Sequence, residues 1–216
     1  MTKDRQMCVI SELLDRHGST FCEESGIHLK NTPAPLFQLL VLSLLCSARI
    51  SADQAVRATK ALFDSGLTTP EKMAEATWSD RVKILNENGY ARYDESTSRM
   101  LQETSDVVIE QYDGDLRKLR QAADHNPEKE HKLITEFKGI GPTGADIFLR
   151  EVQAVWDEVY PFFDKLSLKG AVQIGLPSAT EDLSELVQGS SKAATLAVAL
   201  VRMTLAKDSE QILRSV

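Results

Sequence analysis

Apolar residues recur along this chain at spacings of three and four and almost nowhere alternate with polar ones, the signature of helix rather than strand. With glycine and proline as punctuation, the pattern predicts helices over 4–17, 35–48, 51–65, 70–76, 78–87, 92–112, 115–123, 128–137, 142–155, 165–174, 179–187 and 191–206. No convincing alternating strand, internal repeat or low-complexity stretch interrupts them, so the expected class is all-α. Residues 36–45 are apolar nearly all round, which predicts a central helix buried on most sides. The preceding Asn31-Thr32-Pro33-Ala34-Pro35 reads as a linker, its prolines favouring extended backbone. Thr69 before Pro70 and Thr77 before Trp78 read as helix caps.

One break between helices carries chemistry. In Phe137-Lys138-Gly139-Ile140-Gly141-Pro142-Thr143-Gly144-Ala145, two glycines bracket one isoleucine with helix expected on either side. Glycines permit a tight turn and close approach of another backbone. Pro142 stands where proline best opens a helix. The turn aims free N–H groups and a helix's positive end outward, a seat for phosphate. A plain connector between helices has the same pattern. Further on, Tyr160-Pro161-Phe162-Phe163-Asp164-Lys165 precedes another apolar-periodic run, with Asp164 twenty-one residues beyond Thr143. Asp164 reads as an N-cap for 165–174, a place that would also hold its carboxylate ionised.

These segments resemble the helix-hairpin-helix DNA glycosylase superfamily, and within it the endonuclease III branch. Gly139, Ile140, Gly141 and Ala145 match its hairpin, and Asp164 matches its catalytic aspartate. Upstream, the run from Leu39 to Arg49 is similar to a family helix end, with Arg49 at the family's glutamine, and Gly89-Tyr90-Ala91-Arg92-Tyr93 resembles a family loop. The resemblance spans roughly residues 36–205. It implies a two-lobed fold: a six-helix barrel lobe over 34–137, and a lobe of terminal helices from 1–33 and 138–216, with the helix-hairpin-helix at 131–150. It places the hairpin and Asp164 along a cleft. It makes Asp164 the catalytic residue of base excision, and assigns DNA binding to Lys138, Gly139, Ile140, Gly141, Thr143, Gly144, Arg49, Tyr90 and Lys165. Arg49 and Tyr90 fall where the family places wedge side chains; an ordinary surface arginine and a partly buried tyrosine are the competing readings. Tyr93 and Trp78 read as packing aromatics.

Departures from the pattern shape the expected chemistry. Thr143 stands where bifunctional relatives carry the hairpin lysine. A threonine cannot form the Schiff base that cuts the strand, so AP-lyase activity is doubtful and water is the expected nucleophile. Leu205 stands at the first ligand cysteine of the family's iron–sulfur loop, and few residues follow it. The chain holds three cysteines, Cys8, Cys22 and Cys46, where a cluster needs four thiolates. No 4Fe–4S cluster is expected. Four histidines without ligand spacing argue against a catalytic metal. The family hairpin often holds a structural monovalent cation through backbone carbonyls, which no side-chain motif reveals.

Composition then limits the picture. At 216 residues, 42% hydrophobic and 26% charged, the chain suits a soluble globular protein. No run is long enough to span a membrane, the first residues lead into an amphipathic helix, and the scattered cysteines suit a reducing cytoplasm. The net charge of −7 opposes strong phosphate binding, although a local basic face around Lys138, Arg150, Lys165 and Lys169 is compatible with it. The leading reading is a monofunctional DNA glycosylase acting as a monomer on double-stranded DNA. A DNA-binding protein that kept the fold and lost the chemistry, and a helical protein-binding scaffold, are the alternatives.

Overall fold

The computed structural model describes residues 1–216, and the chain is helical throughout with no strand. In order, the α-helices are α1 (Lys3–His17), α2 (Phe21–Glu24), α3 (Pro33–Cys46), α4 (Ala52–Asp64), α5 (Pro70–Glu75), α6 (Trp78–Leu85), α7 (Asp94–Tyr112), α8 (Leu116–Ala122), α9 (Pro127–Thr135), α10 (Pro142–Val152), α11 (Lys165–Gln173), α12 (Thr180–Val187), α13 (Ser190–Ala206) and α14 (Ser209–Arg214). A π-helical turn, Asn86–Tyr90, follows α6, and a 3₁₀ turn, Asp157–Val159, follows α10. No helix is long and apolar enough to cross a membrane.

The chain divides into two compact units. One comprises Cys22–Phe148. Its axis is α3, in which Leu36, Phe37, Leu39, Leu40, Val41, Leu42, Leu44 and Leu45 are all buried. The segment ahead of α3 is shorter than the sequence suggests. Pro33 and Pro35 lie in the first turn of the helix, where a missing N–H removes no hydrogen bond. Helix α4 packs on α3, and α5 and α6 pack on α7. The caps are those read from the sequence: Thr69 accepts from the Lys72 amide, and Thr77 and Asp80 form a reciprocal capping box. Arg81 is buried, donating through Nη1 to the carbonyls of Met73 and Ala76 at 2.7 Å each, so α6 is tied to the end of α5.

The other unit comprises Met1–Phe21 and Leu149–Val216. Val9, Ile10 and Leu13 of α1 enter one core with Ala197, Leu200 and Met203 of α13, Ala171 of α11 and its C-cap Ile174. Helix α11 approaches α13 closely at Gly170, where an added Cβ would lie 2.6 Å from the Leu200 carbonyl oxygen. The turn between α9 and α10 falls in the Cys22–Phe148 unit, seated on Leu44 of α3 and Met100 of α7, and the residues of α10 from Leu149 on fall in the other unit.

Candidate nucleic-acid interface

The hairpin turn is built by its glycines in three different ways. Gly139 has φ +90°, a conformation that L side chains rarely adopt, and a Cβ there would sit 2.5 Å from the Met100 sulfur and 2.8 Å from Leu44 Cδ1. Gly144 is buried, and a Cβ on it would meet the Ser47 hydroxyl at 2.2 Å. Gly141 is unlike both: no left-handed φ, and nothing within 4 Å of an added Cβ. The fold needs the first two glycines and has no steric use for the third.

Around the turn, Ile140 is buried and its amide donates to the Phe137 carbonyl at 3.0 Å. Thr143 and Gly141 are exposed. The first intrahelical bond at the start of α10 runs from Ala145 N to Gly141 O. The amides of Thr143 and Gly144 therefore precede the helical ladder and stand at its positive end. His131 Nε2 lies 3.0 Å from Asp146 Oδ1, pinning α9 to α10. Lys138 is exposed but donates to Glu103 Oε1 at 2.9 Å, so part of the hairpin's cationic charge is answered locally.

Ser47, which backs Gly144, is the C-cap of α3, and Arg49 follows two residues later with an exposed side chain. The hairpin and Arg49 are thus neighbours within one unit. Tyr90 is a correction. Its side chain is not a surface wedge: the residue is 1% exposed, and its hydroxyl donates to the Leu45 carbonyl at 3.0 Å. Burial pushes its phenol up to about 12, so it stays a neutral donor at the foot of α3. The family-like position after Gly89 is occupied by a core anchor because its hydroxyl reaches the Leu45 carbonyl in the last turn of α3, which also accepts from the Ala48 amide at 3.3 Å.

Asp164 lies in the other unit and caps α11, accepting from the amides of Leu166 at 2.8 Å and Ser167 at 3.3 Å through Oδ1. Its Oδ2 accepts from Arg150 Nε at 2.5 Å. The two side chains are 3% and 4% exposed. Burial raises the carboxyl's pKa, but the Arg150 charge and hydrogen bond with the two amides together outweigh it, and the group is held below its ordinary value. Oδ1 thus accepts from two amides and Oδ2 from one guanidinium N–H. Lys165, the next residue, is exposed. Gln153 stiffens the approach to this cap by donating to Phe162 O at 2.8 Å and accepting from Phe162 N at 3.0 Å.

Sequence reasoning missed the Arg150–Asp164 pair. The signal was an arginine inside the apolar run Ile147-Phe148-Leu149-Arg150-Glu151-Val152, because a charge buried there requires a partner. Nothing in the spacing names that partner.

Solved structures resemble the chain, endonuclease III–DNA complexes among them. A non-covalent endonuclease III–DNA complex matches with a TM-score of 0.55, and a trapped endonuclease III–DNA covalent intermediate, an estranged-adenine complex, with 0.54. In each case identity is 15%, over 94% of this chain and 86% of that one. No protein-family model matches the sequence, and no curated protein does. The likeness shows the fold: this chain has the all-helical endonuclease III-like architecture.

Proposed function

We propose that this chain binds double-stranded DNA through the hairpin turn, as a monomer, and that Asp164 serves structure rather than base excision. The observation that carries the first half is Gly141, a glycine in open space beside free helix-start amides. A site built for a phosphodiester must keep side chains out of the way, which gives that glycine a purpose its own fold does not. Both solved neighbours are endonuclease III complexes with DNA, which supports this partner.

The second half follows from electrostatics. Hydrolysis of an N-glycosidic bond develops positive charge on the sugar, and an uncompensated carboxylate beside it lowers the barrier. Asp164 is ionised, but Arg150 and two amides already answer its charge. Strand cutting needs an amine, and Thr143 offers a hydroxyl. The donor set for an iron–sulfur cluster does not fit either: three cysteines fall short of four thiolates.

Base excision remains the second reading, favoured by an ionised aspartate at a helix's positive end; it requires Arg150 to withdraw. A gel shift on duplex oligonucleotides, with a damaged-base panel treated with alkali or borohydride, separates the two. A complex that weakens as salt rises, with no cleaved or trapped product, is the expected result. A product that disappears in Asp164→Asn would establish excision instead, and absence of any complex would remove DNA as the partner.

A further inference from the structure

We infer that Glu103 competes with DNA phosphate for Lys138, and so sets how tightly, and with what salt dependence, the hairpin holds a strand. This regulation deepens the DNA-binding reading and rests on it. The competition starts from how the turn fixes Lys138. Phe137 and Ile140 are buried on either side, and the Ile140 amide closes the turn on the Phe137 carbonyl at 3.0 Å. Gly139 has the left-handed φ, +90°, that the third position of a type II turn requires. The backbone of Lys138 is therefore held while its side chain stands in solvent, 65% exposed. Within residues 136–144 it is the one lysine or arginine. On α7, Met100 packs against Gly139, and Glu103 lies three residues further along the same helix face. Its Oε1 accepts from Lys138 Nζ at 2.9 Å.

Exposure makes this pair a competitor rather than a brace. The Glu103 side chain is 44% exposed, so both charges stay hydrated and the bond belongs to the weak class of surface ion pairs. Lysine is a flexible point charge that exchanges one oxygen anion for another without rebuilding its surroundings. The turn that carries it packs on the start of α10, where Ile140 Cγ2 would lie 2.8 Å from a Cβ on Gly144. A strand seated on the Thr143 and Gly144 amides thus runs beside this turn and offers Lys138 a phosphate. In the free chain Lys138 is held by Glu103. In the complex Glu103 is left without its cation beside a polyanion. Both effects lower affinity, and neither needs a change of fold. Asp146, the acid on α10, is engaged differently, 3.0 Å from His131 Nε2. Counterions give the signature. A lysine that takes a phosphate releases that phosphate's condensed cation, steepening the salt slope by about 0.9 per contact. Here Glu103 takes up a cation as Lys138 leaves, which cancels most of that release.

The experiment is a set of anisotropy titrations of a paired duplex at several salt concentrations, with thermal melts of each variant. Glu103→Gln binds about two- to fivefold more tightly at low salt, the size of one surface ion pair. Its slope of log affinity against log salt is steeper than that of the wild type by about 1. Most of the gain disappears when Lys138→Gln is added, because no lysine is left to release. Glu136→Gln removes the same charge two residues from Lys138, which bonds Glu103 instead; it gives a smaller gain and leaves the slope unchanged. All variants keep the wild-type melting temperature. A gain that persists in the Lys138→Gln background, an equal gain from Glu136→Gln, or no gain at all would overturn the competition and leave the hairpin reading intact. Weaker binding by Glu103→Gln with a lowered melting temperature would make the pair a brace and overturn it as well. No binding by the wild type would remove both.

Discussion

Asp164 shows how one side chain can match a catalytic position in sequence and be met by a helix cap and a buried ion pair in three dimensions. Its cap role was readable from its place before an apolar-periodic run, and the structure makes that bond twice. Its partner was not readable, because Arg150 lies on a different helix and pairing across a fold leaves no local spacing. Removing one member of a buried ion pair strands the other, so Asp164→Ala is predicted to lower unfolding free energy by about 3–5 kcal/mol in urea titrations. Replacing both residues by apolar ones of similar volume costs much less. The sign of the pH dependence follows from the depressed carboxyl pKa. The stabilisation is complete above the ordinary aspartate range and is lost as pH falls through the folded value. Acid unfolding of the wild type is therefore steeper than that of Asp164→Asn, a difference that circular dichroism across pH measures. Tyr90 teaches the reverse lesson: matching a family position said where it lies in the chain, but not that α3 would draw its hydroxyl inward.

The hairpin shows what local pattern can and cannot specify. The Gly-Ile-Gly-Pro string was enough to predict a turn between two helices, and the α9–α10 connection has that form. The separate work of each glycine was hidden, since it depends on Leu44, Met100 and Ser47 from elsewhere in the chain. Gly139→Ala is predicted to destabilise the protein by at least about 1–2 kcal/mol, the left-handed strain alone, with the Met100 and Leu44 overlap adding to it. Gly141→Ala leaves stability within about 0.5 kcal/mol and weakens DNA binding. Thermal melts beside binding titrations separate the two; equal destabilisation by both would mean that Gly141 is simply part of the turn. Elsewhere the long helices were readable, whereas α2, α14 and the turns at Asn86–Tyr90 and Asp157–Val159 were not, because single turns leave too few residues for periodicity. The prolines ahead of α3 were read as linker because proline disfavours the helical region in its predecessor, a bias that the first turn of α3 overcomes.

Across both units, an acidic chain with an amide-lined phosphate seat should bind DNA with unusual salt behaviour. Backbone amides attract phosphate without releasing many counterions, and Lys138 is partly answered by Glu103. With Arg49 and Lys165 among the few exposed cations in the candidate set, the slope of log affinity against log salt is predicted to be shallow, between about −1 and −3. A slope near −6 in anisotropy titrations would point to a basic surface elsewhere. Net charge, read from composition alone, could not distinguish these cases, because it counts side chains and ignores where backbone N–H groups point.

The most direct measurement is a ¹⁵N amide titration of the full chain with a short DNA duplex. The account predicts that the largest shifts fall on Gly141, Thr143 and Gly144, with smaller ones at Arg49, and that those of Leu166 and Ser167 at the Asp164 cap stay in place. Shifts concentrated away from the hairpin, or no shifts at low salt, would contradict it.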